Sequence, residues 1–146
     1  MKRLTLLLFV AVFSIVGYVV GFSSAQQQVE RKGLASTVKL EGTDFGYLSE
    51  LNGKYKLRVT ETIIEPGGYV GEHNHVGPGI RYLVSGELEL VEHGKTRAYK
   101  AGDYFYETGA ITNGASNKGS SPVVNLIFEI LPADWKGGSA VPPKSK

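Results

Sequence analysis

The sequence contains no cysteine among its 146 residues, and this absence excludes several kinds of protein chemistry. Disulfides, thiolate metal ligands and lipid attachment through an N-terminal cysteine are all ruled out. Stability must therefore come from a hydrophobic core, and a domain of about 120 residues is large enough to build one. Any metal bound by this chain would depend on histidine nitrogens and oxygen donors.

Net positive charge is also absent from most of the chain. The formal charge of +2 comes from 16 basic and 14 acidic residues. Lys2 and Arg3 stand at the N-terminus, whereas every acidic residue lies beyond residue 25, so residues 26–146 are formally neutral. No long basic run remains in that segment. We therefore expect no nucleic-acid partner, because affinity for phosphates requires clustered cations.

The N-terminal residues have the three parts of an export signal. Lys2 and Arg3 precede a predominantly apolar run over residues 4–22, and the small residues Ser23 and Ala25 follow it. This order predicts a signal peptide over residues 1–25 and a periplasmic or secreted protein. The apolar run is nearly long enough to span a bilayer. The alternative is therefore an uncleaved anchor that holds the protein in the inner membrane through residues 4–22.

Helical periodicity is absent after residue 36, and short alternating segments separated by turn residues take its place. The pattern predicts strands over residues 55–64, 69–75, 80–85, 87–92, 95–100, 104–107 and 123–131. Strands at this spacing favour an all-β sandwich or barrel. We expect a flexible leader over residues 26–36, one β domain over residues 37–135 and a loose, Gly/Pro-rich tail over residues 136–146.

Two segments of the predicted β domain resemble the two cupin motifs. The first motif is G-x5-H-x-H-x3-E-x6-G, and residues 67–86 resemble it. The second motif is G-x5-P-x-G-x2-H-x3-N, and residues 102–117 resemble it. The positions in register are Gly67, His73, His75 and Gly86 in the first motif, and Gly102 and Asn117 in the second. The resemblance covers residues 38–131. It implies a double-stranded β-helix, which is a jelly-roll barrel.

The chain departs from these motifs at the positions that bind metal in the family. Gly79 stands where the first motif has glutamate, and Asn113 stands where the second motif has histidine. The resemblance implies a divalent metal (Mn, Fe, Ni or Zn), but His73 and His75 alone are an incomplete ligand set. Three interpretations stay open: histidines satisfied by hydrogen bonds, a metal site completed by other groups, or a pair that binds a ligand or transfers protons.

Strand alternation adds candidates for the barrel interior. If position 79 faces inward, Arg81 does so too, and a buried arginine needs a partner. Arg81 then either binds a substrate carboxylate or phosphate, or its side chain reaches solvent after all. Glu107 should also face inward, because it shares a strand face with Phe105. It is predicted first to pair with Arg81, and otherwise to replace the missing carboxylate ligand or to act as a general base.

These residues support two main hypotheses of function. The first is an exported cupin that binds a small molecule, which includes anionic molecules, inside the barrel through Arg81, Asn113 and Glu107. The alternative is a metal-dependent oxygenase or isomerase that acts on a small acid or sugar, as the resemblance implies, with Glu107 as the candidate catalytic residue. A homodimer formed by sheet packing is also expected from the resemblance. The fold alone cannot decide between these functions.

Overall fold

The computed structural model describes residues 28–143, which form nine strands and one short 3-10 turn at Ser49–Leu51. The strands are β1 (Arg31–Gly42), β2 (Tyr55–His75), β3 (Gly79–Ser85), β4 (Glu87–Glu92), β5 (Lys95–Lys100), β6 (Tyr104–Glu107), β7 (Asn113–Ser116), β8 (Val123–Pro132) and β9 (Ala140–Val141). The predicted signal over residues 1–25 lies outside the described residues. Within residues 28–143, no helix has the length and apolarity needed to cross a membrane.

Strand β2 is the longest element and takes part in both layers of the barrel. Its first half pairs with β8, from Tyr55 opposite Pro132 to Ile64 opposite Val123. Its second half pairs with β7, starting with Tyr69 opposite Ser116. The sequence predicted two strands separated at residues 66–68, and this prediction is wrong because β2 continues through them. Glycine at position 68 allows the strand to continue, because any other residue would place its Cβ 2.7 Å from the Glu65 carbonyl oxygen.

The strands form a nearly closed jelly-roll barrel, which confirms the predicted fold class. Their order is β5-β4-β7-β2-β8-β3-β6, with antiparallel pairing, and β1 and β9 add further pairs to β2. The inward side chains of the two layers form one hydrophobic core, which stabilises the barrel without disulfides. Its buried members are Ile64, Leu83, Leu88, Leu90, Phe105 and Val123.

Within residues 28–143, the segments on both sides of the predicted β domain contain strands that the sequence did not predict. Residues 31–36, expected in a flexible leader, begin β1, which pairs with β2 from Arg31 opposite Val70 to Gly42 opposite Leu57. Residues 137–141, expected in a loose tail, form a segment that we call the C-terminal strap. Its strand β9 pairs with Asn74 and His75. The local composition of both segments is polar, and their order comes from pairing with distant parts of the chain.

The predicted alternation of β3 and β6 is confirmed by the burial of their side chains. Gly79, Arg81 and Leu83 are buried, and Ile80 between them is exposed. In β6, Glu107 is buried together with Phe105, whereas the tyrosines Tyr104 and Tyr106 face solvent. The period of two residues therefore placed Arg81 and Glu107 inside the barrel correctly.

A β-bulge in β2 changes which of its side chains face inward. Even-numbered positions such as Ile64 and Val70 are buried before the bulge, whereas His73 is buried after it. The pairing with β7 shifts register between Val70 and His73, so three steps along β2 match two along β7. An extra residue in one strand re-aims the side chains that follow it. The bulge therefore directs His73 and His75 into the barrel.

Candidate functional site in the barrel interior

The barrel encloses a cavity of about 260 Å³ with a mainly apolar wall. Side chains of β1, β2, β4, β6, β7 and β8 supply this wall: Leu34, Ile64, Val70, Leu88, Leu90, Phe105, Ala115 and Ile127. One group of mutually contacting polar residues, which we call the polar group, interrupts it: His73, His75, Arg81, Glu107, Asn113, Glu129 and Ser139. Other polar residues also line the cavity: Ser36, Arg58, Thr60, Thr62 and Asn125. Arg31 and residues Gly137, Gly138 and Ala140 of the strap also line the cavity.

Arg81 lies at the centre of the polar group and contacts two carboxylates. Its side chain is 1% exposed, so the alternative that it reaches solvent is wrong. Its Nε lies 2.6 Å from Glu107 Oε2, and its Nη2 lies 3.1 Å from Glu129 Oε1. The ion pair with Glu107 is thus present, and Glu129 is a second partner that the sequence reasoning missed. One guanidinium therefore forms ion pairs with two buried carboxylates.

His75 contacts the same two carboxylates from another direction. Its Nε2 lies 3.3 Å from Glu107 Oε2, and its Nδ1 lies 3.3 Å from Glu129 Oε1. Ser139, from the strap, donates a hydrogen bond of 2.6 Å to Glu129 Oε1. Burial by itself would raise the pKa of Glu129, but the hydrogen bonds from His75 and Ser139 and the charge of Arg81 hold it below its usual value. Glu129 is therefore a carboxylate at neutral pH.

His73 is a neutral base whose orientation is fixed by the backbone. Its Nδ1 donates a hydrogen bond of 2.7 Å to the Gly71 carbonyl oxygen. The other ring nitrogen, Nε2, is then the unprotonated one in the neutral ring. Burial lowers the pKa of His73 to about 4. The His75 Nε2 lies 3.1 Å from the His73 Nε2, so the two imidazoles are in direct contact.

Three buried polar atoms in the cavity wall have no hydrogen-bond partner among residues 28–143. They are Arg81 Nη1, Asn113 Oδ1 and Asn125 Oδ1. Asn113 donates through its Nδ2 to Glu107 Oε1 at 2.7 Å, which directs its oxygen away from that carboxylate. Buried polar atoms in folded proteins almost always have a partner. These three atoms have almost no accessible surface, so a ligand or water would contact them only after a small shift of the surrounding side chains.

The polar group as arranged does not fit a divalent metal. Within residues 28–143, no group of three or more His, Asp or Glu side chains has the geometry of a metal site. The reason is that Arg81 and His75 already contact both carboxylates. In addition, a Cβ at position 79 would lie 2.3 Å from Arg81 Nη1, so the guanidinium fills the space that the family's glutamate would need.

Sequence reasoning missed two members of the polar group. Glu129 lies on β8, where Val123 and Leu131 are buried at positions of the same parity. That alternation predicts that Glu129 faces the barrel interior. The residue was missed because the surrounding segment, residues 123–131, is mainly apolar. Ser139 gives no such local signal. It reaches the site because β9 pairs with β2, a contact between residues far apart in the sequence.

Comparison with known protein families agrees with this architecture. The Cupin_2 model, described as a cupin domain, matches residues 60–128, which include most of β2 and all of β3 to β7. The chain belongs to the cupin superfamily. No curated protein matches the sequence of this cupin.

Solved structures with similar folds come from proteins of different activities. A cupin domain from Bordetella pertussis shares 22% identity, with 69% of this chain and 96% of that chain covered and a TM-score of 0.51. A polyketide cyclase, RemF from Streptomyces resistomycificus, shares 15% identity, with 73% and 75% covered and a TM-score of 0.54. A salicylate 1,2-dioxygenase from Pseudaminobacter salicylatoxidans shares 18% identity, with 66% and 26% covered and a TM-score of 0.52. At these identities the likeness establishes a shared fold.

Proposed function

We propose that this cupin binds a small, mainly apolar molecule that carries one anionic group, without the help of a metal. The observation that carries this proposal is the cavity of about 260 Å³, whose mainly apolar wall includes the polar group. Its volume is close to the lower limit of ligand pockets, which typically measure about 300–1,000 Å³. An apolar wall with a few convergent polar atoms is the usual composition of a small-molecule site.

We assign the recognition of the anionic group to Arg31. Arg81 was the first candidate for this role, but its guanidinium is engaged by Glu107 and Glu129. Arg31 lines the same cavity, is exposed, and donates a hydrogen bond of 3.2 Å to the Ala140 carbonyl oxygen. No ion pair of the described residues includes Arg31. Its positive charge also helps to lower the pKa of His73, after the larger effect of burial.

The remaining polar residues orient the ligand in this proposal. His73 is held at both ring nitrogens, by the Gly71 carbonyl oxygen at Nδ1 and by His75 Nε2, which lies 3.1 Å from its Nε2. Asn113 Oδ1 has no partner in residues 28–143, and we assign it as the acceptor for a ligand hydroxyl or amine. Glu107 is held by Arg81, Asn113 and His75. We therefore give Glu107 a positioning role in place of the general-base role considered for it above.

A metal-dependent oxygenase or isomerase, with Mn, Fe, Ni or Zn, is the alternative. Family membership and the fold shared with a dioxygenase favour it, whereas the engagement of both carboxylates by Arg81 and His75 opposes it. The two proposals differ in a direct way. The first predicts ligand binding by protein treated with a chelator, and the second predicts that the chelator abolishes binding or turnover.

The test is a titration of chelator-treated protein with matched pairs of small acids and their amides. Benzoate and benzamide are the first pair, because both fit the cavity and differ in charge. A salicylate 1,2-dioxygenase of this fold was solved in complex with gentisate, so hydroxybenzoates follow in the panel, together with small aliphatic acids. We expect at least one acid to bind more tightly than its amide. At 100 times its Kd, it should stabilise the fold by about 2.7 kcal/mol.

Two variants assign the preference for the acid. Arg31→Gln should remove it, and Arg97→Gln, at an exposed arginine of β5 outside the cavity, should leave it unchanged. The proposal is wrong if no acid in the panel binds, or if each amide binds as tightly as its acid. Export and homodimer formation also remain proposals, and cell fractionation and light scattering test them.

A further inference from the structure

We propose that the Arg81 guanidinium is the resident cation of this barrel, and that it keeps a divalent metal away from three donor side chains that would otherwise bind one. The three donors are His73, His75 and Glu107. This inference does not depend on the identity of the ligand proposed above. It concerns what occupies the polar end of the cavity in the protein itself.

Three candidate donor atoms lie close together, although they do not form a metal site in the described residues while Arg81 is present. The His73 and His75 Nε2 atoms are 3.1 Å apart, and His75 Nε2 is 3.3 Å from Glu107 Oε2. Ligand atoms that each lie about 2.0–2.2 Å from one ion are separated from one another by roughly 3 Å. Glu129 Oε1 lies 3.3 Å from His75 Nδ1, where it would orient the imidazole of a bound histidine.

Arg81 supplies the positive charge that a metal would supply in such a set. Its Nε is 2.6 Å from Glu107 Oε2, and its Nη2 is 3.1 Å from Glu129 Oε1. The two carboxylates therefore direct their oxygens at a guanidinium. The side chain is almost fully buried, so these contacts are not shared with bulk water. A second, divalent cation in the same place would be repelled by the guanidinium and would find the carboxylates engaged.

Position 79 lies beside the Arg81 guanidinium and has no room for a side chain. The family motif has glutamate where this chain has Gly79. A Cβ at Gly79 would lie 2.3 Å from Arg81 Nη1 and 2.6 Å from the Phe128 carbonyl oxygen. The Phe128 backbone therefore disfavours any side chain at position 79, and the guanidinium occupies the space beside the glycine.

The experiment removes the guanidinium and measures metal content. Wild type, Arg81→Met and Arg81→Lys are incubated with Zn²⁺, Mn²⁺ or Co²⁺, freed of unbound metal and examined by elemental analysis. We expect about one metal ion per chain in Arg81→Met, and none in wild type or in Arg81→Lys, which retains a cation. The Co²⁺ form of Arg81→Met should show ligand-field absorption bands, and these should disappear when His73 and His75 are also changed to alanine.

Two further measurements keep the test decisive if Arg81→Met folds poorly. Circular dichroism with and without Zn²⁺ shows whether the metal restores the fold, which would support the proposal. Arg81→Met/Glu129→Gln has one negative charge fewer and retains three donors, so it should also bind metal. Arg97→Met, at the exposed arginine of β5, is the matched control.

Two outcomes would overturn the proposal. The first is stoichiometric metal in wild-type protein that depends on His73 and His75. The second is that neither Arg81→Met nor the double variant binds metal or is refolded by it.

Discussion

Two clusters of cations and carboxylates have opposite charge balance, and each contributes an arginine to the lining of the cavity. In the inner cluster, Arg81 serves the carboxylates of Glu107 and Glu129, and both of these are buried. In the outer cluster, Lys56 and Arg58 share the carboxylate of Glu41, at 3.1 Å and 2.6 Å. The inner cluster therefore has two carboxylates for one guanidinium, and the outer cluster has two cations for one carboxylate.

The two clusters differ in whether the remaining N–H donors of their cations have hydrogen-bond acceptors. In the outer cluster, Lys56 Nζ donates to the Trp135 carbonyl oxygen at 2.8 Å, and Arg58 Nη1 donates to the Gly137 carbonyl oxygen at 2.6 Å. These bonds hold the start of the C-terminal strap against β2. In the inner cluster, Arg81 Nη1 has no acceptor in residues 28–143. The cations of the outer cluster thus donate to backbone carbonyl groups as well as to a carboxylate, whereas one nitrogen of the inner cluster has no acceptor.

The largest expected effect comes from removing the cation of the inner cluster. Arg81→Met should lower the free energy of unfolding by about 3–5 kcal/mol, because it leaves two buried carboxylates without their guanidinium. Urea unfolding in a buffer with chelator measures this loss in the absence of metal. A loss below about 1 kcal/mol, close to that of an exposed ion pair, would mean that the inner cluster is not a buried charge network.

Acid should weaken the fold through the inner cluster before it affects the outer one. Burial lowers the pKa of His73 from 6.5 to about 4, so the unfolded chain takes up its proton at higher pH than the folded chain does. Stability should therefore fall as the pH drops from 6.5 to 4, by about 3 kcal/mol in total. Below pH 4 this contribution no longer changes.

The pH dependence can be assigned with two histidine variants. Urea midpoints should become nearly independent of pH between about 6.5 and 5.5 in His73→Gln. Below about pH 5 a slope should remain, because the pKa values of Glu129 and Glu41 are also held below their usual range. His93→Gln should keep the wild-type profile, because His93 is exposed in the turn between β4 and β5. A profile that His73→Gln does not flatten would show that another group causes the acid sensitivity.

The smallest expected effect is in the outer cluster. Arg58→Met should lower the free energy of unfolding by about 1–2 kcal/mol, because Lys56 still binds both Glu41 and the Trp135 carbonyl oxygen. The local effect should be clearer, since amide hydrogen exchange in residues 137–141 should become faster. Arg97→Met is the control. Unchanged exchange in the strap would show that the outer cluster does not anchor it.

The alternation of side chains along strands made the inner cluster partly predictable. Arg81 and Glu107 were placed inside the barrel because they share strand faces with Gly79 and Phe105, and both are buried. That reasoning needs the strand and its phase, and it needs no knowledge of distant contacts. Glu129 satisfied the same criterion, with Leu131 two residues later on the same face.

The parts of the molecule that sequence reasoning did not predict depend on contacts between distant residues. The strap has a glycine-rich start, which indicates a loose segment, yet Ser139 in it binds Glu129. Likewise, Pro66 and Gly67 indicate a strand end, but β1 and the backbone of Asn117 continue the pairing past them. Local sequence indicates how many backbone conformations a segment can adopt. The strand pairing that fixes one of them comes from residues elsewhere in the chain.

The β-bulge between Val70 and His73 also has a genetic consequence. Because the bulge adds one residue to β2 alone, a strand without it would keep the same phase beyond Val70. Deletion of the single codon for Glu72 would leave two steps on each strand between the Val70–Ala115 and His73–Asn113 pairs, so both imidazoles would still face inward. Deletion of the codon for Asn74 would instead turn His75 outward, so the two neighbouring positions differ in what a one-codon deletion does to the cavity.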